Sequence, residues 1–224
     1  MASRVVTGCA AAALALSAWA ALDPERGAIA VLLAAFAVVA AGFAWLERGA
    51  ISARDLTLVA TLGGIAAAGR VLFAPVPGVQ PVTVVVAAAG VALGPKRGFA
   101  VGAVAALASN FFLGQGPHTP WQMLAWGGCG LLGGLAAPLL RHRLAFAAFC
   151  VALGFAFGAA MDVWLWYGFY PHTEAALLAR LAAGLPFNVA HAGGNLALAL
   201  VAGPELRRVL HRFARRSRTE VVWA

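Results

Sequence analysis

The chain has 224 residues, of which 62% are hydrophobic and only 11% are charged, and its mean hydropathy is +0.87. A soluble domain keeps about a quarter of its residues charged, so this composition excludes a soluble globular protein and indicates a polytopic membrane protein. The net charge of +8 does not indicate nucleic-acid binding, because the densest basic run directly follows an apolar segment, where basic residues hold a helix end at the cytoplasmic face.

Eight apolar segments follow one another along the chain, and most have about the 17–25 residues that a spanning helix needs. They cover residues 4–22, 28–46, 53–69, 79–94, 98–113, 121–140, 144–168 and 183–204. Segments 79–94 and 98–113 are short enough for one re-entrant hairpin, but Lys96 and Arg97 between them favour a surface turn. The pattern predicts an all-α polytopic membrane protein of eight transmembrane helices, an N-terminal pair plus a six-helix core.

The first segment has two interpretations. It starts with a basic residue, and Ala18-Trp19-Ala20 after the apolar stretch resembles a signal-peptide cleavage site. We expect a retained helix and keep a cleaved signal peptide as the alternative. The predicted divisions are a helix pair with its linker (1–52), a six-helix core (53–213) and a basic cytoplasmic tail (214–224).

The distribution of basic residues predicts the orientation of the helices. Assigning Lys and Arg to alternate loops places 13 of the 16 on one side and leaves Arg26, Arg70 and Arg180 on the other. Cytoplasmic loops carry the excess of basic residues, so both termini are expected in the cytoplasm. Three long loops are then expected outside, at 70–81, 110–122 and about 167–188. Within the third loop, residues 169–183 are the part expected to face outward.

The second of these loops, "NFFLGQGPHTPWQM", contains an unusual density of polar residues between two apolar segments. Glycines allow its backbone to turn and prolines stiffen it. Amide groups offer hydrogen bonds without charge, which suits a neutral or zwitterionic ligand. The candidate ligand-binding residues are Asn110, Gln115, His118, Trp121 and Gln122. The alternative is a tight turn with Trp121 as an interfacial anchor.

Further candidates lie at the same predicted level of the membrane. Arg70 and Gln80 flank the first outer loop, and Asp162 is the lone acid in the interior of an apolar segment, which is a functional hypothesis by default. Asn188, His191 and Asn195 share one helix face by their spacing. Polar contacts between helices are the alternative for Asp162 and for this face.

Other known motifs are absent from the sequence. It contains no Walker A loop, no HExxH motif and no nucleophile elbow, so we expect neither an ATPase nor an enzyme. A membrane-embedded enzyme and a stand-alone secondary transporter remain alternatives, although no inverted repeat is visible. Segment 53–69 carries a stripe of small residues that allows close helix approach, namely Ala60, Gly64 and Ala68.

Residues 53–213 resemble an S component, the substrate-binding membrane subunit of an energy-coupling-factor (ECF) vitamin transporter. The resemblance rests on the segment from Gly69 to Met123, above all "SNFFLGQGPHTPWQM", and on "GGCGLLGGLAAPLL". It is closest to cobalamin-type S components.

The resemblance implies a vitamin-binding site under loops 70–81 and 110–122, with cobalamin as a transported ligand and no resident cofactor. It also implies that the stripe of small residues docks a membrane coupling subunit, and that two cytoplasmic ATPases drive uptake. His118 or His191 would be placed to approach a cobalt ion. The N-terminal helix pair lies outside the six-helix pattern of the family.

Overall fold

The computed structural model describes residues 2–20 and 53–216 and, between these ranges, residues 26, 29, 33, 36, 37, 40 and 41. The regular structure of these residues is helical. The helices are α1 (Ala2–Ala20), α2 (Ala53–Leu72), α3 (Val82–Leu93), α4 (Pro95–Leu113), α5 (Thr119–Leu135), α6 (Arg143–Phe169), α7 (Glu174–Val201) and α8 (Gly203–Arg216). Most of the predicted segment 28–46, its linker 47–52 and positions 217–224 of the predicted tail lie outside the described residues.

Three of these helices are long and apolar enough to cross a membrane: α2 from Asp55 to Leu72, α6 and α7. This result is consistent with a helical membrane protein, but it does not confirm the eight predicted spans. Helix α3 has 12 residues and is about 18 Å long, whereas the apolar layer of a bilayer is about 30 Å thick. Helix α4 places Lys96 and Arg97 in its own first turn, so the predicted turn between α3 and α4 shrinks to Gly94.

The long third loop predicted at 167–188 is wrong, because only residues 170–173 separate α6 from α7. The Thr173 side chain accepts a hydrogen bond from the Ala176 backbone amide (3.2 Å) and caps α7. Glu174 follows in the first turn, where a negative charge is favourable. In the sequence, Pro186 suggested that this helix starts later. It instead lies within the continuous helix α7, which tolerates the loss of one backbone donor.

The helices run up and down, which gives the bundle two chemically different ends. Helices α2, α4 and α6 finish at the end that we call the polar end, and α3, α5 and α7 begin there. At the opposite, basic end, Arg97 forms an ion pair with Asp55 (2.8 Å) between the first turns of α4 and α2. The core between the ends is built mainly from valine, alanine and aromatic side chains, among them Val82, Val86, Val101, Trp126, Phe146 and Phe157.

Glycines bring α3, α4 and α5 into close contact. Gly94 joins α3 to α4 with φ of +95°, a conformation that other residues rarely adopt. A Cβ atom on Gly98 would overlap the backbone carbonyl of Gly130, so α4 and α5 approach at backbone distance here. The run "GGCGLLGGL" is therefore explained by packing between helices.

Helix α8 differs from the others because it is amphipathic. Leu210 is buried and Leu206 packs against the core, whereas Arg208 and Arg212 are exposed. The helix starts after a break at Ala202 and lies against α3. It continues to Arg216, three residues beyond the predicted end of the core at 213.

Candidate functional site

Arg70, in the last turn of α2, is the centre of a buried polar network at the polar end. Its side chain is only 7% exposed, and its Nη1 donates hydrogen bonds to Ser109 Oγ (2.7 Å) and to Asn110 Oδ1. The guanidinium lies over the Trp126 ring, 4.8 Å from the ring centroid. None of the acidic residues in the described ranges pairs with it. A buried positive charge is thus held by neutral acceptors and an aromatic face.

Asn110 connects the end of α4 to the loop and to α5. Its Nδ2 donates to Thr119 Oγ1 (2.9 Å) and to Gln122 Oε1 (2.8 Å). Thr119 Oγ1 in turn donates to Gln115 Oε1 (2.8 Å), and Gln115 Nε2 donates to the Leu107 carbonyl (3.1 Å). These bonds hold the loop 114–118 closed against both flanking helices.

The loop itself is short and reaches α6. Gly114 ends α4 with φ of +103°, which frees the chain to reverse. A Cβ on Gly116 would lie 2.8 Å from the His118 ring, so a larger residue there would displace the histidine. The His118 ring meets the buried Trp164 ring edge to face, with 6.1 Å between centroids. Trp164 therefore packs inside the protein.

Several buried polar atoms near this loop have no hydrogen-bond partner among the described residues. They are Trp121 Nε1, Trp164 Nε1, Gln80 Oε1 and Arg70 Nε. An indole N–H can only donate, and an unsatisfied buried donor costs on the order of 1–3 kcal/mol. Such atoms in a native structure require an explanation, for which a ligand or ordered water is the usual candidate.

A second branch of the network passes from Trp126 to α7. Trp126 Nε1 donates to Thr83 Oγ1 (3.1 Å), which lies 3.1 Å from His191 Nε2. His191 Nδ1 lies 2.8 Å from the Gly78 carbonyl, which only accepts, so Nδ1 carries the proton and Nε2 accepts from Thr83. The stacked ring of Phe157 covers Trp126, with 4.3 Å between centroids. Both ring nitrogens of His191 are therefore occupied inside the protein.

Asp162 belongs to a different cluster, between α6 and α7. It is 5% exposed and forms an ion pair with Arg180 (3.0 Å), and it accepts a hydrogen bond from Asn188 Nδ2 (3.0 Å). A Cβ on Gly184 would overlap its carboxylate, which shows how tightly the two helices enclose it. The negative charge of Asp162 is thus balanced by Arg180 within the protein.

Asn188 and Asn195 also face α6 directly. Asn188 fills the space beside Gly158, and Asn195 lies beside Gly154 and donates to the Cys150 carbonyl (3.3 Å). This arrangement favours the alternative given above, a polar contact between helices. The predicted candidate residues therefore fall into two groups. One is the Arg70 network, and the other is the polar contact between α6 and α7, which we call the α6–α7 seam.

Comparison with known families assigns most of the chain. Residues 50–209, which include α2 to α7, match a family described as a family of unknown function, DUF6580. The chain belongs to the DUF6580 family. Comparison with curated proteins and with solved structures gave no match.

In this DUF6580 protein, the matched region contains every residue of the Arg70 network. Sequence reasoning missed five residues that complete the two clusters: Thr83, Ser109, Thr119, Trp126 and Arg180. Thr83 gave a usable signal, because it is the lone polar residue of α3. Trp126 gave none, since an indole in an apolar helix is typical of an ordinary core.

The stripe of small residues on α2 lies on the outside of the DUF6580 bundle. Ala60, Gly64 and Ala68 are exposed, and a Cβ on Gly64 would meet no described atom within 4 Å. Gly63, one residue earlier, is buried, and a Cβ there would lie 2.6 Å from Val104 of α4. One face of α2 therefore packs inside the bundle, while no other described residue fills the space over Gly64 in the stripe.

Proposed function

We propose that this protein is the substrate-binding membrane subunit of an ATP-driven ECF-type vitamin transporter, with cobalamin or a related corrinoid as the first ligand to test. The observation that carries the proposal is the buried Arg70 network beneath loop 114–118, next to indole and amide groups without partners. Such a site combines apolar walls with a few fixed polar groups, as small-molecule sites do.

The charge of the network narrows the chemistry of the ligand. Arg70 is buried, and no carboxylate in the described part of the chain offsets its charge. An anionic group on the ligand would be stabilised here, because charge interactions strengthen away from water. Corrinoids such as cobalamin carry a phosphodiester and many amides, which match Arg70 and the unpartnered donors Trp121 and Trp164 in type.

The closed loop provides the route of entry in this proposal. Loop 114–118 is held by side-chain bonds from Asn110, Gln115 and Thr119, which are individually weak and reversible. Opening it would uncover Trp121 and His118 without unfolding a helix. We place the polar end on the outer face of a bacterial cell membrane with both termini in the cytoplasm, following the distribution of basic residues.

Partners follow from the open stripe on α2. A membrane coupling subunit would pack its own helix on Ala60, Gly64 and Ala68, and two cytoplasmic ATPases would supply the energy. Small residues permit backbone-to-backbone approach in the membrane, where packing drives association.

Calorimetry on the detergent-purified protein is the direct test, with cobalamin first and then other vitamins in turn. We expect saturable binding of one ligand, and weaker binding by Gln115→Ala and Gly116→Val. A variant at a distant exposed site, Ala148→Val on α6, serves as the matched control. Failure of every vitamin to bind would contradict the proposed function.

A stand-alone secondary transporter is the second candidate, favoured by the buried Asp162–Arg180 pair. The two proposals differ in their energy source. Uptake that requires a co-expressed coupling subunit and ATPases supports the first, whereas uptake by this chain alone in energised vesicles supports the second. A membrane-embedded enzyme would instead convert the ligand, which mass spectrometry of the recovered ligand would detect.

A further inference from the structure

A cavity of about 250 Å³ lies at the basic end of the bundle, far from the Arg70 network. It is an open cavity between the start of α6, the end of α7 and the first turns of α8. Five basic side chains line it: Arg141, Arg143, Arg207, Arg208 and His211. Its volume is sufficient for a phosphate group with its ester substituents.

The cavity carries an excess of positive charge. Arg208 is neutralised by Glu205, with 2.6 Å between Nη1 and Oε2. Arg141, Arg143 and Arg207 have no acidic partner within the residues that the structure describes. Three guanidinium groups around one cavity repel each other, so a bound anion would lower the energy of the arrangement.

Arg207 is the most constrained of these residues. Its Nη2 donates to the Arg141 carbonyl (3.3 Å), and its guanidinium lies over the Phe146 ring at 4.9 Å. Its Nε is buried and has no partner among the described residues. Burial also lowers the pKa of Arg207 from its usual value. The guanidinium fork is held in place with a donor unused, which suits an oxyanion.

One part of the cavity wall is apolar. Phe146, Ala199 and Pro204 form part of its wall. Next to it, Leu144 is 62% exposed and Val201 is 82% exposed at the ends of the two longest apolar helices. A ligand with an anionic head and apolar tails would contact both parts, whereas a free anion would use only the first.

We propose that this basic cavity binds the phosphate of an anionic phospholipid, whose acyl chains lie along the exposed ends of α6 and α7. Basic pockets between membrane helices are known to take anionic headgroups. The proposal is independent of the vitamin site, because it involves none of the same residues.

Native mass spectrometry of the full-length protein, stripped of lipid and titrated with phosphatidylglycerol, tests it. We expect saturable binding of phosphatidylglycerol and at least tenfold weaker binding of phosphatidylcholine. Arg143→Gln combined with Arg207→Gln should weaken phosphatidylglycerol binding by about 30-fold, at about 1 kcal/mol for each arginine near the membrane surface. Arg141→Gln with Arg143→Gln changes exposed side chains only and should give a similar loss without affecting folding.

The matched control removes the same charge from the same end of the molecule outside the cavity. Lys96→Gln with Arg212→Gln should bind phosphatidylglycerol as the wild type does. Equal affinities for the control and both cavity variants, or equal binding of the two lipids, would overturn the proposal. Displacement of the lipid by millimolar inorganic phosphate would identify a site for the free anion and also overturn it.

Discussion

Arg70 at the end of α2 donates a hydrogen bond to the side-chain carbonyl of Asn110, 40 residues later at the end of α4. Asn110 is 1% exposed, and its amide nitrogen donates to two side chains of α5. Its hydrogen-bonding capacity is therefore used inside the protein. Asn110 positions the loop and the arginine, whereas the buried polar atoms without a partner among the described residues belong to Arg70, Gln80, Trp121 and Trp164.

The first prediction concerns the unpartnered indole of Trp121. Trp121→Phe removes the N–H and keeps most of the ring, so it should weaken vitamin binding by about 5- to 150-fold with little effect on stability. Trp166→Phe is the matched control, because its N–H already donates to the Pro171 carbonyl. Calorimetry measures both. Unchanged affinity in Trp121→Phe would mean that this indole does not contact the ligand.

The second prediction concerns the Arg70–Asn110 pair. Arg70→Met leaves the Asn110 and Ser109 acceptors buried without their donor, at about 1–3 kcal/mol for each unsatisfied group. We expect a lower thermal unfolding temperature in detergent together with loss of ligand binding. Arg212→Met, at an exposed site on α8, should change neither quantity. If Arg70→Met unfolded at the wild-type temperature, the network would not contribute to stability.

The third prediction concerns docking through α2. Gly64→Leu and Ala68→Leu each place a large side chain on the exposed stripe and prevent the close approach of another helix. They should impair transport by the complete complex, while ligand binding by the isolated subunit stays normal. Gly63→Leu should instead destabilise the protein itself, because Val104 occupies the space. Wild-type transport rates in both stripe variants would rule out this docking face.

The fourth prediction concerns orientation. In a variant without Cys9, Cys129 and Cys150, a single cysteine at position 115 should react with an impermeant reagent in intact cells. Single cysteines at positions 96 and 142, exposed at the basic end, should react only after lysis. The reverse pattern would place the polar end in the cytoplasm and contradict the proposed site.

The fifth prediction separates structural from ligand-binding polar groups. Asp162→Ala and Arg180→Ala should each destabilise the protein, and the double variant should lose less than the sum, with a coupling of about 0.5–3 kcal/mol. Vitamin affinity should remain within about twofold of the wild type, since the pair lies in the α6–α7 seam. A large loss of affinity at unchanged stability would assign Asp162 to the binding site.

The sequence by itself determined the features that depend on local composition. Sparse charge and long apolar segments identified a helical membrane protein, and the density of polar residues from Asn110 to Gln122 marked the loop that the network holds. Helix ends were less predictable, as α7 shows. The Thr173 cap and a run of helix-forming residues stabilise the start of α7 by more than Pro186 destabilises its interior. A pattern of apolar segments does not reveal such differences in helix stability.

Only the tertiary structure decided which polar residues act together. Arg70 and Asn110 meet across 40 residues, whereas Asp162 and Asn188, which looked like members of the same site, pair with each other in another seam. A polar side chain in an apolar helix must find some partner, and the sequence does not specify which helix supplies it. The exposed Gly64 and the buried Gly63 differ for the same reason, because a helix face becomes a packing face only when a neighbour such as Val104 occupies it.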